Sequence, residues 1–234
     1  MKMELPVPVL HSLFALNQAG YEAYVVGGCV RDAMMGKEPM DWDITTSALP
    51  EETLAVFQSY RTIETGIRHG TVTVIIGDMP LEITTYRVDG DYSDGRHPDA
   101  VSFTRSLKED LRRRDFTVNA MAYHPHFGLV DPFHGQRDLK RKVIRCVGNP
   151  KKRFYEDALR ILRGLRFSST LGFSIHPATA SAIHRLSDTL SRVSIERVST
   201  EFLKLMCGQN NQAVLAHYPD VLSTIVPNID FTGN

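Results

Sequence analysis

The stretch Tyr24–Thr46, YVVGGCVRDAMMGKEPMDWDITT, places a glycine pair, an arginine and two alternating aspartates within one short span. Tyr24-Val25-Val26 reads as a buried strand and Gly27-Gly28 as a sharp turn, because glycine adopts backbone angles that a side chain forbids. The residues from Val30 to Met35 suit a helix, and a strand that feeds a helix through glycines turns backbone N–H groups toward an anion. Gly36 to Met40 breaks that helix. Asp41-Trp42-Asp43-Ile44 then has the two-residue period of a strand, which sends both carboxylates to one face and Trp42 and Ile44 to the other.

Two like charges on one strand face repel, and hard oxygen ligands suit Mg2+, which is commonly held by one or two carboxylates together with substrate phosphates. An isolated DxD is equally the end of a solvated surface strand. The glycine–arginine run upstream favours the other reading, a phosphate cradle beside a metal-binding pair formed by Asp41 and Asp43.

At 234 residues the chain can bury a sizeable core, and its apolar fraction of 42% is ordinary for a globular protein. No stretch approaches the length of a membrane span, and the N-terminal MKMELPVPVLHSLF has prolines and an acid where a signal peptide needs an unbroken apolar run. A cytoplasmic protein is the expectation. Cys29, Cys146 and Cys207 fit neither a disulfide framework nor zinc spacing and read as free thiols. His124-Pro125-His126 reads as an exposed turn. The net charge of zero argues against a nucleic-acid partner, yet its distribution argues for one. Residues 1 to 107 carry 8 Lys/Arg and 15 Asp/Glu, whereas residues 108 to 166 carry 15 and 7. An acidic, metal-binding wall facing a basic, phosphate-binding wall gives this pattern, as does a solvated basic helix.

Outward from the opening stretch, residues 5 to 19 predict a helix with Val7, Leu10, Leu13 and Leu16 inward. The hydroxyls of Thr46 and Ser47 and the proline at 50 predict a capped helix to Phe57. Thr71–Ile76 and Leu81–Tyr86 read as a hairpin around Gly77-Asp78-Met79-Pro80. Glu82 falls on the polar face of its strand, where it is either a third carboxylate beside Asp41 and Asp43 or merely solvent-facing. Arg87 to Pro98 reads as a long loop, an active-site lid or an insertion. Residues 107 to 122 have helical spacing, and Arg113, Arg114, Asp115 and Asn119 add donors and acceptors suited to phosphate and ribose. Residues 128 to 135 read as hairpin-like and Val143–Val147 as a final strand. Beyond Pro150 the pattern turns helical, with Ala158, Ile161, Leu162 and Leu165 on one face of a helix from Phe154 to Phe167. Asp157 and Arg160, three apart, form at the least a surface ion pair of about 0.2–0.5 kcal/mol. Residues 177 to 208 predict two further helices, with a last helical piece after Gly208.

Taken together, GGCVRD at 27–32, DWDITT at 41–46, HGT at 69–71, RRDFTVNAMA at 113–122 and EDALRILRGLRF at 156–167 resemble the class II tRNA nucleotidyltransferases. These are the CCA-adding enzymes of the polymerase-β-like superfamily, and the resemblance follows the family's order over most of the chain. It implies an α+β fold, a nucleotidyltransferase head with a small mixed β-sheet and flanking helices over residues 1–148. An all-α neck over 149–210 and the start of a helical body over 211–234 are implied after it. Longer members continue into domains that grip tRNA, so the expectation is an excised catalytic core.

The resemblance also implies roles. Asp41 and Asp43 look like the ligands of two Mg2+ ions, with Glu82 as the third catalytic carboxylate. Gly27, Gly28 and Arg31 resemble the triphosphate cradle, Arg114 a further phosphate contact, and Asp115 and Asn119 the ribose readers. The implied chemistry is in-line attack by a tRNA 3′-hydroxyl on the α-phosphate of CTP or ATP. Cytosine and adenine both present an amino donor beside a ring-nitrogen acceptor, whereas guanine and uracil present a carbonyl beside an N–H. Asp157 can only accept and Arg160 can only donate, so the pair fits C and A. Such a pair discriminates by about 1–3 kcal/mol. Arg163 and Arg166, one helical turn on, would extend the basic face toward phosphates or restrain the Asp157/Arg160 pair, while Glu156 would orient Arg160. The alternatives are a poly(A) polymerase, a CC-only or A-only enzyme, or a catalytically silent RNA-binding module. The run Thr65–Thr71 and the absence of a long basic tail speak against the first, and the DxD against the last.

Overall fold

A computed structural model describes residues 3–90 and 101–226, which group into two compact units. The first takes in residues 3–90, 101–114 and 118–136; the second takes in 115–117 and 137–226.

The first unit opens with α1 (Val7–Gln18), β1 (Ala23–Val26), α2 (Gly28–Met34) and β2 (Asp43–Thr46). α3 (Pro50–Val56), β3 (Arg61–Ile63), β4 (Thr71–Ile76) and β5 (Met79–Thr85) follow. Next come β6 (Arg87–Asp89), β7 (Val101–Phe103), α4 (Leu107–Arg112), β8 (Ala122–His124) and β9 (Gly128–Val130). Seven strands form one sheet in the order β3-β4-β5-β2-β1-β8-β9. Only β2 and β5 run parallel, so the sheet is mixed. The expected hairpin is β4–β5, whose alternation buries Val72, Val74, Leu81 and Ile83. α1 forms as expected but is rotated: Val9, Leu13 and Leu16 are buried, while Val7 and Leu10 face solvent.

Five expectations for this unit are corrected. β2 begins at Asp43, so Asp41 and Trp42 precede the strand, although the alternation persists with Trp42 and Ile44 buried and Asp41 exposed. α3 is capped by Glu52, whose Oε2 accepts the Leu49 N–H at 2.7 Å, while the Thr46 hydroxyl serves Ala48. Arg87–Asp89 is a strand paired with β7, and the rest of the expected loop, residues 91–98, lies outside the described residues. The helix expected over 107–122 ends at Arg112. Its continuation is taken by long-range pairing, in which the Thr117 N–H donates to Arg145 O at 2.8 Å and the Val147 N–H to Asp115 O at 3.0 Å. Backbone pairing of this kind overrides a weak local helix preference. His124, expected in an exposed turn, is buried at the end of β8. Its Nδ1 accepts the His126 and Phe127 N–H groups, and its Nε2 meets Asn17 Oδ1 at 2.9 Å.

The second unit is mostly helical. It holds the larger part of α5 (Gly135–Arg141), then β10 (Val143–Ile144), α6 (Pro150–Glu156), α7 (Leu159–Leu171) and β11 (Ser174–Ile175). α8 (Pro177–Leu186), α9 (Ile195–Met206), α10 (Asn211–His217) and α11 (Pro219–Ser223) complete it. The final strand expected over 143–147 is confined to β10, which pairs in parallel with β11 outside the large sheet. α7 packs on α9, with Phe116, Phe154, Ile161, Leu162, Leu165 and Leu205 in the core. The single helix expected from Phe154 to Phe167 is two: Asp157 ends α6 with an extended backbone (φ −147°, ψ 106°) before α7 begins. The contact boundary falls between Gln136 and Arg137, because the segments around β10 belong with the helices.

Candidate active site

Gly27 turns the chain from β1 into α2 with φ 87° and ψ −129°, a conformation that disfavours any residue with a Cβ. Its N–H donates to Met121 O at 3.2 Å. A Cβ at this position would lie 3.0 Å from Arg114 Nη1 and 3.9 Å from Asp43 Oδ2, so the glycine keeps open a space bounded by a guanidinium and a carboxylate. The buried Nε of Arg114 has no hydrogen-bond partner among the described residues. A buried donor left over in this way is a group still waiting for an acceptor. Gly28 begins α2. From that helix Arg31 grips Asp32 with Nε and Nη2 at 2.8 and 2.9 Å and donates through Nη1 to Asn119 Oδ1 at 2.6 Å. Arg31 and Asn119, 88 residues apart, are thus brought into direct contact.

The parallel register of β2 and β5 sets Asp43 opposite Glu82. Burial pushes the Asp43 carboxyl above the usual carboxylate range; the nearby Arg114 opposes this, and the charges of Glu82 and Asp41 add to the rise. Asp43 therefore feels Glu82 and Asp41 as like charges, the condition a divalent cation relieves. The donor set fits Mg2+, being hard carboxylate oxygens. No group of three or more His, Cys, Asp or Glu side chains among the described residues suffices to hold a metal by itself. The remaining positions suit substrate phosphate oxygens.

Asp110, fully buried on α4, supports this region from behind. It accepts from the Thr45 hydroxyl at 3.1 Å, Arg113 Nε at 3.0 Å and the Arg87 N–H at 3.3 Å, and lies 3.7 Å from Arg114 Nη2. Burial alone would raise its pKa, but Arg113 and Arg114 outweigh it and hold the carboxyl below the usual range.

In the second unit the candidate residues are tied into ion pairs. Asp115 Oδ2 accepts from Arg163 Nε and Nη2 at 2.8 and 2.6 Å, and this pairing pushes the Arg163 guanidinium further up against the pull of burial. Glu201, buried on α9, stands 2.5 Å from Arg166 Nε and 3.8 Å from Arg163 Nη1; the first contact is an ion pair without hydrogen-bond alignment. The Arg166 guanidinium also lies 4.0 Å over the Phe167 ring. The expected basic face of Arg163 and Arg166 is therefore largely neutralised within its own unit. Asp157 and Arg160 do not pair with each other through their side chains: Asp157 Oδ1 accepts the Leu159 N–H at 3.1 Å and Oδ2 meets Arg197 at 3.0 Å. Arg160 donates to Glu156 at 2.8 Å, as expected, and to Arg153 O at 3.2 Å.

Sequence reasoning missed Asp110, Arg197 and Glu201. The spacing of Asp110 to Arg113 and Arg114, three and four residues on one helix, was a signal in the chain itself. Arg197 and Glu201 meet partners about forty residues upstream, which no local pattern reveals.

A mixed sheet that sets Asp43 beside Glu82 below a glycine turn and an arginine is the framework of a nucleotidyltransferase head. Residues 23–145, more than half of the chain, match the Poly A polymerase head domain, and the chain belongs to that family. Residues 172–218 match the "Probable RNA and SrmB- binding site of polymerase A". A CCA-adding enzyme of Enterococcus faecalis is 50% identical over 203 residues, covering 87% of this chain and 50% of that protein. One from Lactobacillus helveticus is 47% identical over 228 residues, covering 97% and 55%. The structure of the Bacillus stearothermophilus CCA-adding enzyme in complex with CTP superposes with a TM-score of 0.83 at 42% identity, over 92% of this chain and 53% of that one. That of the Thermotoga maritima enzyme complexed with tRNA_CCA gives 0.80 at 26%, over 96% and 54%. The chain spans about half the length of the curated relatives it matches.

Proposed function

We propose that the chain is the catalytic part of a CCA-adding tRNA nucleotidyltransferase, joining CMP and AMP to the 3′ end of tRNA with release of pyrophosphate. The observation that carries this reading is the β2–β5 register, which sets Asp43 against Glu82 beside the open turn at Gly27 and the unsatisfied Nε of Arg114. Asp41 and Asp43, with Glu82, would hold Mg2+. Bound there, the ion supplies the charge that activates a primer hydroxyl and steadies the leaving pyrophosphate. Gly27 and Gly28 leave room for the triphosphate and Arg114 donates to it. Arg31 fixes Asn119 in the first unit and Arg163 holds Asp115 in the second, and each of the two acceptors is read as a ribose contact. Asp157 accepts from the amino group of C or A while Arg160, steadied by Glu156, donates to the ring nitrogen. Arg163 and Arg166 act in this reading as braces more than as phosphate contacts.

The division of labour is a head over residues 1–148, a neck over 149–210 and the start of a helical body over 211–234. Relatives named for CTP, ATP and tRNA complexes support CTP, ATP and a tRNA lacking its CCA as the partners. A cytoplasmic location goes with that substrate; among the described residues no helix is long and apolar enough to cross a membrane. Incubating the chain with tRNAs ending before the first C, the second C and the A, and with each labelled nucleotide, tests the proposal. C and then A should enter with G and U excluded by about ten- to hundredfold. Equal use of all four would overturn it, and runs of A alone would indicate a poly(A) polymerase.

A further inference from the structure

We infer that Arg197, on α9, is a positioning residue that sets base selection by holding the Asp157 carboxylate; the inference rests on the proposed role of Asp157. Asp157 does not lie within a helix. It is the extended residue between α6 and α7, and its side chain is only partly exposed. A residue at such a break takes no direction from helix periodicity, so its side chain is aimed by whatever it touches. Two contacts aim it. The Leu159 N–H donates to Oδ1 at 3.1 Å, and Arg197 Nη2 donates to Oδ2 at 3.0 Å from 40 residues away.

One bond to each oxygen fixes the plane of the carboxylate. An ionised carboxylate offers about four acceptor positions, so the plane that is fixed still presents free lone pairs to an amino group. Without Arg197 the group hangs from one short local bond and turns about its last torsion, which is broad and soft for aspartate. The acceptor edge that separates an amino group from a carbonyl is then no longer held in one place.

The placement of Arg197 is part of a longer pattern on α9. Glu201, one turn on and on the same face, meets Arg166 and Arg163. α9 thus presents a cation to the one acidic base reader and an anion to the arginines that follow it. Arg160 is steadied separately, by Glu156 and the Arg153 carbonyl. The two halves of the base reader therefore have independent supports, and loss of Arg197 should disturb only the acceptor half.

The test is equilibrium binding of CTP, ATP, UTP and GTP to the 234-residue chain and to Arg197→Met, Arg197→Gln and Arg197→Lys, with thermal unfolding of each. CTP and ATP should bind Arg197→Met about tenfold more weakly while UTP and GTP change little, so the selectivity ratio collapses. Arg197→Lys, which still delivers a charged donor, should recover most of the ratio, and Arg197→Gln an intermediate part. A purely structural role would lower the unfolding temperature and weaken all four nucleotides together. Loss that is uniform across the four, or an unchanged ratio in both Arg197→Met and Arg197→Gln, overturns the inference. A wild-type chain that binds all four alike overturns the reading of Asp157 itself, and is recognised before any variant is made.

Discussion

The charged residues of the two units follow opposite rules. At the start of β2, Asp41, Asp43 and Glu82 have no ion-pair partner among the described residues; burial raises the Asp43 pKa, the nearby Arg114 opposes the rise, and the charges of Glu82 and Asp41 add to it. In the helical unit the carboxylates described above each have an arginine: Asp115 with Arg163, Glu201 with Arg166, Asp157 with Arg197, Glu156 with Arg160 and Arg153. Charge left unbalanced inside a fold is an invitation to a ligand of the opposite sign. Charge balanced internally fixes geometry instead. On the proposed reading the first unit is left to receive positive charge and phosphate oxygens, while the second keeps its side chains in place.

The sharpest way to break this contrast is to remove one of the unbalanced charges. Asp43→Ala or Asp41→Ala should lower nucleotide incorporation by at least about a hundredfold, and Asp43→Ala should leave the urea midpoint unchanged or raised, since an aspartate whose native pKa lies above its ordinary value costs the fold stability once ionised. Unfolding of either variant, or near-normal incorporation, would refute the distinction.

Asp110 sharpens it from within the head, being a head carboxylate that is balanced. Asp110→Asn strands Arg113 and Arg114 and should cost about 3–5 kcal/mol in chemical denaturation. Its pH signature follows from a lowered native pKa. The stabilisation is complete above the ordinary aspartate value of 3.8 and disappears as pH falls below it through the native one. Wild-type stability should therefore drop as pH falls below 3.8 in a way the asparagine variant does not share.

On the helical side, Glu201→Ala should lose about 2–4 kcal/mol, because Arg166 keeps its burial and loses its counter-charge while Arg163 retains Asp115; a loss under about 0.5 kcal/mol would make the lattice ornamental. The smallest effect concerns the thiols. Burial pushes Cys29 up to about 11 and Cys146 up to about 12, while Cys207 is exposed. A thiol reagent at pH 8 should modify Cys207 alone until denaturant is added.

Much of the head was legible from period and punctuation. The β-branched run at Thr71–Ile76, the alternation through Glu82 and the glycine pair at 27–28 each express a constraint local to the chain. The juxtaposition of Asp43 and Glu82 was readable as a shared polar face, but the register was not, because parallel pairing joins strands separated by a helix and two further strands. Local readings failed where distant backbone intervened. The helix pattern through Asp115 yields to hydrogen bonds with Arg145 and Val147, and the pattern through Asp157 breaks at that residue. Ion pairs such as Asp115 with Arg163 were hidden for the same reason, since any of many arginines in the basic segment could have served.

The break at Asp157 has a bearing on how such a protein can change over generations. A base reader embedded in mid-helix would be constrained by the propensity and packing of that helix. Asp157 instead stands at a joint, where its one local duty is to accept the Leu159 N–H. Asparagine or serine could discharge that duty equally well. If Asp157 reads the base as proposed, the choice of nucleotide is mutationally separable from the winding of both helices and from Asp41, Asp43 and Glu82, so the product could be retuned while those carboxylates are inherited intact.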